Sequence, residues 1–452
     1  MKRFALIFAL VFMTALIFGC AGSEIADSAG SGPNDADDES GLNENDGSDE
    51  GTGDAENDTG DRKPIHQESD TAFQKSCAPV APVPWPEPDL TGPSVVSFDA
   101  QLFFTVNGQR FFPNGFYSAP SDAIGLAEFK SEGFNVALTG GGCCGGSSLQ
   151  DQIDLLNRGV DAGVMIILKP WSPRSQVLTR PDAELEAELD ARTGVGGLFG
   201  WYTFDEPGLH LTSKELTERM HEVLSTYDPN HMDGLVDAPL NDFSLYVDDC
   251  AFFMVDPYPS DWIQLSYVKA TMEEAWVATQ GEKPIVGVMQ AFSWDWYDDM
   301  IENEYHPNGL EMKNMAWQFI VHGASGLIPW NYAGDYTIHY QPEIWASYLE
   351  TVAEMNELNR VILSDNQGTD LDAQTAFPTM FDYVVKSEET ATWVLSVSTN
   401  ERSLDVSFDL SDIGTDLCVV DYTTEETFEQ DGEGRVEVEY GPLQVRILEI
   451  ME

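Results

Sequence analysis

The sequence has few basic residues for its length. Lysine and arginine together number 22, against 78 aspartate and glutamate residues, and the formal net charge at pH 7 is −56. Such an acidic surface repels the phosphates of DNA and RNA, which argues against a nucleic-acid partner. The chain also has only 7 histidines and 6 cysteines, and they show no metal-site spacing. We therefore expect no cofactor, no catalytic metal and no catalytic thiol.

The longest hydrophobic run lies at the N-terminus. Residues 4–18 are apolar except for one threonine and follow two basic residues. A helix needs about 20 apolar residues to span a membrane, so this shorter run is typical of a signal peptide, with an uncleaved anchor as the alternative. Residues 16–20, which end in Cys20, resemble the lipobox of bacterial lipoproteins. This resemblance implies residues 1–20 as signal peptide and lipidated cysteine, with a lipid anchor at the outer membrane or cell surface.

Residues 21–76 form an acidic stretch that is poor in large apolar side chains. Within residues 21–70 there are 16 acidic residues against two basic ones. Such a segment cannot bury enough apolar surface to offset the entropy of ordering, so we predict a disordered tether.

Five cysteines follow Cys20 in the chain. They are Cys77, Cys143, Cys144, Cys250 and Cys418. An exported chain allows disulfides to form, but the number is odd and the sequence leaves the pairing open.

Residues 95–366 alternate short apolar runs with amphipathic stretches. The eight runs are 111–117, 134–138, 164–168, 198–203, 234–236, 251–255, 284–289 and 326–330. The stretches between them have helical periodicity, as at 149–162 and 213–227. Eight such repeats predict an α/β fold, a closed (β/α)8 TIM barrel. An open doubly wound sheet is disfavoured because no glycine-rich phosphate loop follows the first run.

The pattern changes beyond residue 369. Six short apolar runs separated by polar turns lie between residues 369 and 452. This spacing predicts a small C-terminal all-β sandwich.

Polar and aromatic residues follow the predicted strands, where this barrel type forms its active site. They are Lys169 and Trp171 (strand three), Asp205 and Glu206 (strand four), Asp237 (strand five), Asp256 and Tyr258 (strand six), Gln290 and Trp294 (strand seven), and Trp330 and Asn331 (strand eight). Aromatic rings stack on sugar rings, and amides and carboxylates bind hydroxyl groups. The mixture therefore predicts a site for an oligo- or polysaccharide.

The segment Asp205-Glu206-Pro207 after strand four resembles the Asn-Glu-Pro segment of retaining (β/α)8-barrel glycoside hydrolases, and the likeness extends loosely over residues 95–366. It implies that Glu206 is the general acid/base and that Asp205 contacts the sugar 2-hydroxyl. The family's nucleophile is a glutamate after strand seven, where this chain has Gln290. An amide cannot form a glycosyl ester, so the second carboxylate must lie elsewhere.

We expect Asp256 to be that second carboxylate, because the Asp-Pro-Tyr-Pro turn places it at the rim. Asp237 and Asp295 are the alternatives. The stereochemical outcome is left open, since an inverting reaction needs carboxylates about 6.5–9.5 Å apart.

The sequence therefore predicts a surface-anchored, glycoside hydrolase-like lipoprotein that acts on an extracellular glycan. One alternative is a non-catalytic carbohydrate-binding protein that has lost the strand-seven nucleophile. Another is an adhesive or structural surface protein. Structural roles also remain open for individual residues: Glu206 as the acid of a first helical turn, and Trp201 as part of the barrel core.

Overall fold

The computed structural model describes residues 77–80, 82–139, 148–239, 241–260, 263–296, 305–334, 336–366, 371–388 and 391–451. Cys20, the segment 21–76, Cys143 and Cys144 lie outside the described residues, so what was inferred for them stays a prediction. Within these ranges, the helices are all too short or too polar to cross a membrane.

Eight parallel strands of the described chain form a barrel. They are Gly115–Tyr117, Val136–Leu138, Met165–Leu168, Leu198–Asp205, Met232–Asp237, Phe252–Val255, Ile285–Gly287 and Gly326–Leu327. Each strand pairs with the next in chain order. The barrel closes where Leu327 bridges Asn114 and donates its N–H to the carbonyl of Pro113 at 2.8 Å. The predicted (β/α)8 architecture is confirmed.

Helices connect the strands and cover the outside of the barrel. Those of the described chain are Ala123–Ser131, Leu149–Ala162, Asp182–Thr193, Lys214–Tyr227, Tyr267–Ala278, Gly309–Val321, Pro342–Glu357 and Asn359–Ile362. Leu149–Ala162 begins after Ser148, whose hydroxyl accepts the Asp151 N–H, and ends at Gly163 with φ +74°. Both capping signals stand in the sequence, which is why the bounds predicted for this helix are right.

Prolines limit three of the barrel strands. The first strand begins two residues after Pro113, the seventh begins directly after Pro284, and the eighth ends two residues before Pro329, although all three prolines lie within the predicted apolar runs. Proline has no N–H to donate to a neighbouring strand, so the ladder stops although the apolar sequence continues.

A three-stranded antiparallel sheet closes the N-terminal end of the barrel, and it was not predicted from the sequence pattern. Its strands are Val96–Phe98, Phe104–Val106 and Gln109–Arg110. The ring of Phe104 lies 5.2 Å from that of Phe199 and 5.4 Å from that of Phe252, both inside the barrel. Because these rings fill that end, the C-terminal ends of the strands form the open mouth.

A cavity of about 540 Å³ lies at the closed end, beneath residues 84–91. Phe111, Asn135 and Met165 contribute to its wall. The predicted site residues do not line this cavity, so it is separate from the site described below.

Two antiparallel sheets form the C-terminal all-β domain, as predicted. One contains Asp372–Thr375, Leu404–Asp409 and Arg435–Tyr440, and the other contains Phe381–Glu388, Ala391–Ser398, Cys418–Asp421, Thr427–Phe428 and Val445–Met451. Asn314 of the helix Gly309–Val321 donates its side-chain amide to the carbonyls of Ser398 and Leu443, each at 2.8 Å. These hydrogen bonds fix the domain against the barrel.

The structure shows the bonding state of three cysteines whose pairing the sequence left open. Cys77 and Cys418 form a disulfide with their Cα atoms 5.7 Å apart, whereas Cys250 is a buried free thiol. The disulfide ties the start of the described chain to the C-terminal domain, across 341 positions of sequence.

Candidate active site

Glu206 follows the fourth strand with an unusual backbone conformation. Its φ is +40°, in the left-handed region that side chains with a Cβ seldom adopt. The Glu206 N–H donates to the carbonyl of Val236 at 2.9 Å, and its own carbonyl accepts the His210 N–H at 3.0 Å. Such a conformation costs about 1–3 kcal/mol and persists only where the surroundings enforce it, which is common at functional sites.

The carboxyl groups of Glu206 and Asp256 are in hydrogen-bonding contact. Asp256 is only 5% exposed, and its burial, together with the charge of Glu206, raises its pKa well above the ordinary value. Burial and then the charge of Asp205 raise the pKa of Glu206 to about 7, while the contact with Asp256 acts in the opposite direction. Two carboxyls in contact cannot both ionise easily, so the pair retains one proton at neutral pH.

Two further carboxylates act on this pair. Asp205 is exposed, and its Oδ1 accepts a hydrogen bond from the Tyr202 hydroxyl at 2.7 Å. Asp237 is fully buried, and its Oδ1 accepts the Asn241 side-chain amide at 2.6 Å while burial raises its pKa to about 6. The charges of Asp205 and Asp237 both contribute to the raised pKa values of Glu206 and Asp256. The structure thus gathers four of the predicted carboxylates into one site.

Aromatic side chains from strands six to eight form a wall beside the carboxylates. The ring of Tyr258 lies 5.1 Å from Phe292 and 6.2 Å from both Trp294 and Trp330. Phe292, which the sequence analysis did not single out, lies edge-on to Trp330 at 4.7 Å. Tyr258 and Trp330 are half-buried, so part of each ring surface is open to a ligand.

Gln290 and Asn331 are both buried beside this wall. Gln290 is fully buried, its Oε1 accepts the Ser260 N–H at 2.8 Å, and its Nε2 donates to the carbonyl of Phe292 at 3.1 Å. The Gln290 carboxamide therefore joins the loops after strands six and seven. Asn331 is 4% exposed, and its Oδ1 has no hydrogen-bond partner among the described residues.

The two residues predicted after strand three differ in position. Lys169 is half-buried with its Nζ 5.8 Å from the centre of the Tyr202 ring, which places it at the site. Trp171 is 5% exposed, and its Nε1 donates to Glu188 of the helix Asp182–Thr193 at 2.8 Å. The prediction that Trp171 binds substrate is therefore corrected: it packs beneath a helix, because its indole nitrogen finds a carboxylate there.

Trp201 lies in the core, as its place within a strand indicated. It is fully buried, and its Nε1 donates to Asp228 at 2.7 Å.

Buried polar atoms without a hydrogen-bond partner in the described chain concentrate at the strand ends. They include Tyr117 Oη, Thr139 Oγ1, Asp237 Oδ2, Ser260 Oγ and Asn331 Oδ1. Buried polar atoms in proteins are nearly always hydrogen-bonded. These atoms come from strands one, two, five, six and eight, so they surround the mouth with the capacity to bind a ligand rich in hydroxyl groups.

A second polar constellation, at the closed end, has the residue types of a serine hydrolase. Ser94 Oγ lies 3.1 Å from His231 Nε2, and His231 Nδ1 lies 2.9 Å from Asp228. All three side chains are at least 96% buried, and the Ser94 hydroxyl donates to the carbonyl of Leu198 at 2.7 Å. Its oxygen must therefore accept from the histidine, which is the reverse of what a nucleophile needs.

The described residues contain no group of three or more His, Cys, Asp and Glu side chains arranged to hold a metal ion.

No family model matches the sequence, and no curated protein matches it. Solved structures with similar folds do exist. A glycoside hydrolase family 5 protein from Bacteroides vulgatus ATCC 8482 has a TM-score of 0.54 at 11% identity, over 79% of this chain and 94% of that chain. A structure described as a glycoside hydrolase has a TM-score of 0.52 at 11% identity, over 80% of this chain and 97% of that chain. The chain therefore has a (β/α)8 glycoside hydrolase-like fold.

Proposed function

We propose that this protein is a glycoside hydrolase that cleaves an extracellular oligo- or polysaccharide. The observation that carries the proposal is the contact between Glu206 and Asp256 at the mouth of the barrel. Hydrolysis of a glycosidic bond needs one carboxyl that donates a proton and one carboxylate that acts at the sugar C1. A pair that retains one proton at neutral pH supplies both.

Glu206 is the general acid in this proposal. Its pKa of about 7 lies near neutral pH, where a general acid is most effective. The Glu206 proton passes to the glycosidic oxygen as the bond from that oxygen to C1 breaks, and the leaving sugar departs as an alcohol. The ionised Glu206 can then remove a proton from the water that completes hydrolysis.

Asp256 is the second carboxylate and stabilises the positive charge that develops at C1. The two carboxylates are about 6.5–9.5 Å apart in inverting enzymes and about 5–5.5 Å apart in retaining ones, so the interacting pair of Asp256 and Glu206 is nearer to the retaining arrangement. In the retaining reaction that we propose, an Asp256 oxygen bonds to C1 and water later breaks that bond.

The aromatic wall formed by Tyr258, Phe292, Trp294 and Trp330 supplies the apolar surface on which a sugar ring can stack. Asp205, Asn331 and Lys169 supply polar groups beside it. Two structures with similar folds are described as glycoside hydrolases, which supports the same class of reaction.

We also propose that the enzyme is held at the cell surface or outer membrane by lipid on Cys20, with residues 21–76 as a flexible tether. The support is the lipobox-like sequence and the acidic composition of the segment that follows it.

A panel of polysaccharides, with the anomers of the first products followed by NMR, tests the proposal. We expect one glycan class to be hydrolysed with retention. Glu206→Gln keeps the side-chain shape but removes the transferable proton, so activity should fall by about 10²–10⁴. Substrates with very good leaving groups should lose less. Glu215→Gln, in an exposed first helical turn, is the matched control and should retain full activity.

Three outcomes would contradict the proposal in different ways. Glycan binding without turnover would identify a carbohydrate-binding protein. Neither binding nor turnover would identify an adhesive or structural surface protein. Products with inverted anomeric configuration would be consistent with glycoside hydrolysis but would show that Asp256 is not a nucleophile.

A further inference from the structure

The proposed general acid stands at the start of a tight loop, which we call loop four. Loop four covers residues 206–213, between the fourth strand and the helix that follows it. The Glu206 N–H ties the start of the loop to the Val236 carbonyl of strand five at 2.9 Å, and the Glu206 carbonyl accepts the His210 N–H at 3.0 Å. Because Glu206 has a φ of +40°, the surroundings of the loop must enforce its conformation.

The loop after strand five meets loop four at Gly208. Asn241 of that loop lies so close that a Cβ added to Gly208 would be 2.6 Å from the Asn241 Cγ and 2.7 Å from its Nδ2. Real Cβ atoms essentially never come within 3.0 Å of such atoms, so the Asn241 amide already fills the space beside Gly208. The φ of Gly208 lies outside the left-handed region. The close approach of Asn241, and not the backbone conformation, is therefore what requires glycine here.

A buried carboxylate holds the Asn241 amide in this place. The Asn241 Nδ2 donates to Asp237 Oδ1 at 2.6 Å, and the same oxygen accepts the Ala238 N–H at 3.1 Å. Asp237 ends strand five and is fully buried. The Asn241 N–H also donates to the Ala238 carbonyl at 3.0 Å, which closes the turn. The end of strand five thus fixes the amide, and the amide packs against Gly208.

A second contact joins the same two loops farther along loop four. The Tyr246 hydroxyl, from the loop after strand five, donates to the Thr212 carbonyl at 2.8 Å. The Thr212 N–H donates in turn to the Pro207 carbonyl at 3.0 Å. Loop four is therefore held at two points, and the contact at Gly208 is nearer in sequence to Glu206.

We propose that Asn241 is a positioning residue that acts through Gly208 to hold the Glu206 carboxyl where it can protonate the glycosidic oxygen. This inference rests on the glycoside hydrolase function proposed above. The Asn241 amide keeps the backbone of loop four at a fixed distance from the end of strand five, which preserves the conformation at Glu206. A displacement of about 1 Å at a catalytic group can lower the rate by about 10²-fold, so a small shift of this loop is enough to matter.

Two substitutions disturb the contact from opposite sides. Gly208→Ala adds a methyl group where the amide lies, and Asn241→Ala removes the amide. Both variants are made in the full-length protein and compared on two substrates. One is an oligosaccharide that the glycan panel shows to be cleaved, and the other is the dinitrophenyl glycoside of the same sugar, whose leaving group needs little protonation.

The readout is kcat/KM, which includes the step that breaks the glycosidic bond. For the oligosaccharide we expect either substitution to lower kcat/KM by about 10- to 100-fold, because the proton donor is displaced. For the dinitrophenyl glycoside the loss should be less than about threefold, because proton donation contributes little to its cleavage. A general loss of folded protein cannot produce this difference, since it lowers both values by the same factor.

Gly432→Ala is the matched control. Gly432 is exposed in the C-terminal domain, and a Cβ there meets nothing within 4 Å. Both kcat/KM values should be unchanged in this variant.

The double variant with Gly208→Ala and Asn241→Ala tests whether the two residues act on each other. The three atoms nearest to the added Cβ all belong to the Asn241 side-chain amide. Once that amide is removed, Gly208→Ala should therefore cause less than about a twofold further loss.

Equal losses on the two substrates would overturn the inference, because a displaced proton donor has little effect on a leaving group that needs no proton. Full additivity of the two substitutions, or unchanged activity of Asn241→Ala, would do the same. If Gly208→Ala does not fold, Asn241→Ala decides by itself, because it adds no atom to the loop. These failures leave the proposed function intact as long as Glu206→Gln fails to cleave the oligosaccharide. Absence of hydrolysis by the unaltered protein is a failure of the proposed function instead.

Discussion

The raised pKa of Glu206 predicts that the active site destabilises the folded protein above neutral pH. The pKa is about 7 in the folded protein against an ordinary value of 4.5. The folded state therefore binds this proton more tightly than the unfolded state does. Below pH 4.5 both states hold the proton and there is no penalty, between pH 4.5 and 7 the stability falls, and above pH 7 the whole penalty applies.

The size of this penalty follows from the shift. Each pKa unit corresponds to 1.36 kcal/mol, so the difference between the two values gives an upper limit of about 3 kcal/mol. Solvent screening at a half-buried side chain reduces this to roughly 2 kcal/mol. Glu206→Gln has no ionisable group and escapes the penalty, so it should be more stable than the unaltered protein at pH 8 and equally stable at pH 4. For a folded unit of this length, that difference corresponds to an increase in Tm of about 3 °C.

The assay is thermal unfolding at pH 4 and pH 8 of the unaltered protein, Glu206→Gln and the exposed-site control Glu215→Gln. The Glu206→Gln variant alone should gain stability at the higher pH. An equal Tm difference at both pH values would refute the reasoning, because a packing effect of the amide does not depend on pH. A loss of stability only at pH 8 would show that the Glu206 carboxylate is stabilised in the folded protein.

Three shorter predictions follow from the site and the N-terminus. Cys20→Ala should leave an unprocessed precursor that takes up no labelled fatty acid. Normal labelling of this variant would contradict the proposed lipid anchor on Cys20. Trp330→Ala should weaken glycan affinity by about 10- to 100-fold through lost stacking surface, measured by calorimetry, whereas Trp85→Ala at the closed end should leave it unchanged. Gln290→Glu should lower stability by about 1–3 kcal/mol in denaturant unfolding, because the carboxylate can no longer donate to the Phe292 carbonyl; an unchanged midpoint would show that this hydrogen bond is dispensable.

The barrel was predictable because its strands are short apolar runs with clear boundaries. Met165–Leu168 and Phe252–Val255 are buried at every position, so each appears in the sequence as an uninterrupted apolar run. The sheet that plugs the barrel was not predictable in this way. Its strands are two or three residues long and partly exposed, and what stabilises them is the packing of Phe104 against rings that are distant in sequence.

The strand ends were predictable as a set, but the direction of each side chain was not. Trp171 and Lys169 follow the same strand, yet one packs under a helix and the other lies beside Tyr202. Tyr117 stands at a strand end in the sequence without any motif around it, and its packing against Tyr202 of the fourth strand arises only in the closed barrel. The register of a closed barrel decides such cases, and it depends on all eight strands together.

The place of the second carboxylate shows how the loops after strands six and seven depend on each other. The Gln290 amide accepts from Ser260 and donates to Phe292, and this needs one acceptor and one donor on the same side chain. A glutamate provides two acceptors and cannot make both bonds. The structure thus uses the strand-seven position to hold the loop that carries Asp256, and the carboxylate itself lies one strand earlier. In our proposal, Gln290 stands where the resembled family has its nucleophile and holds the loop of Asp256, which takes over that chemistry.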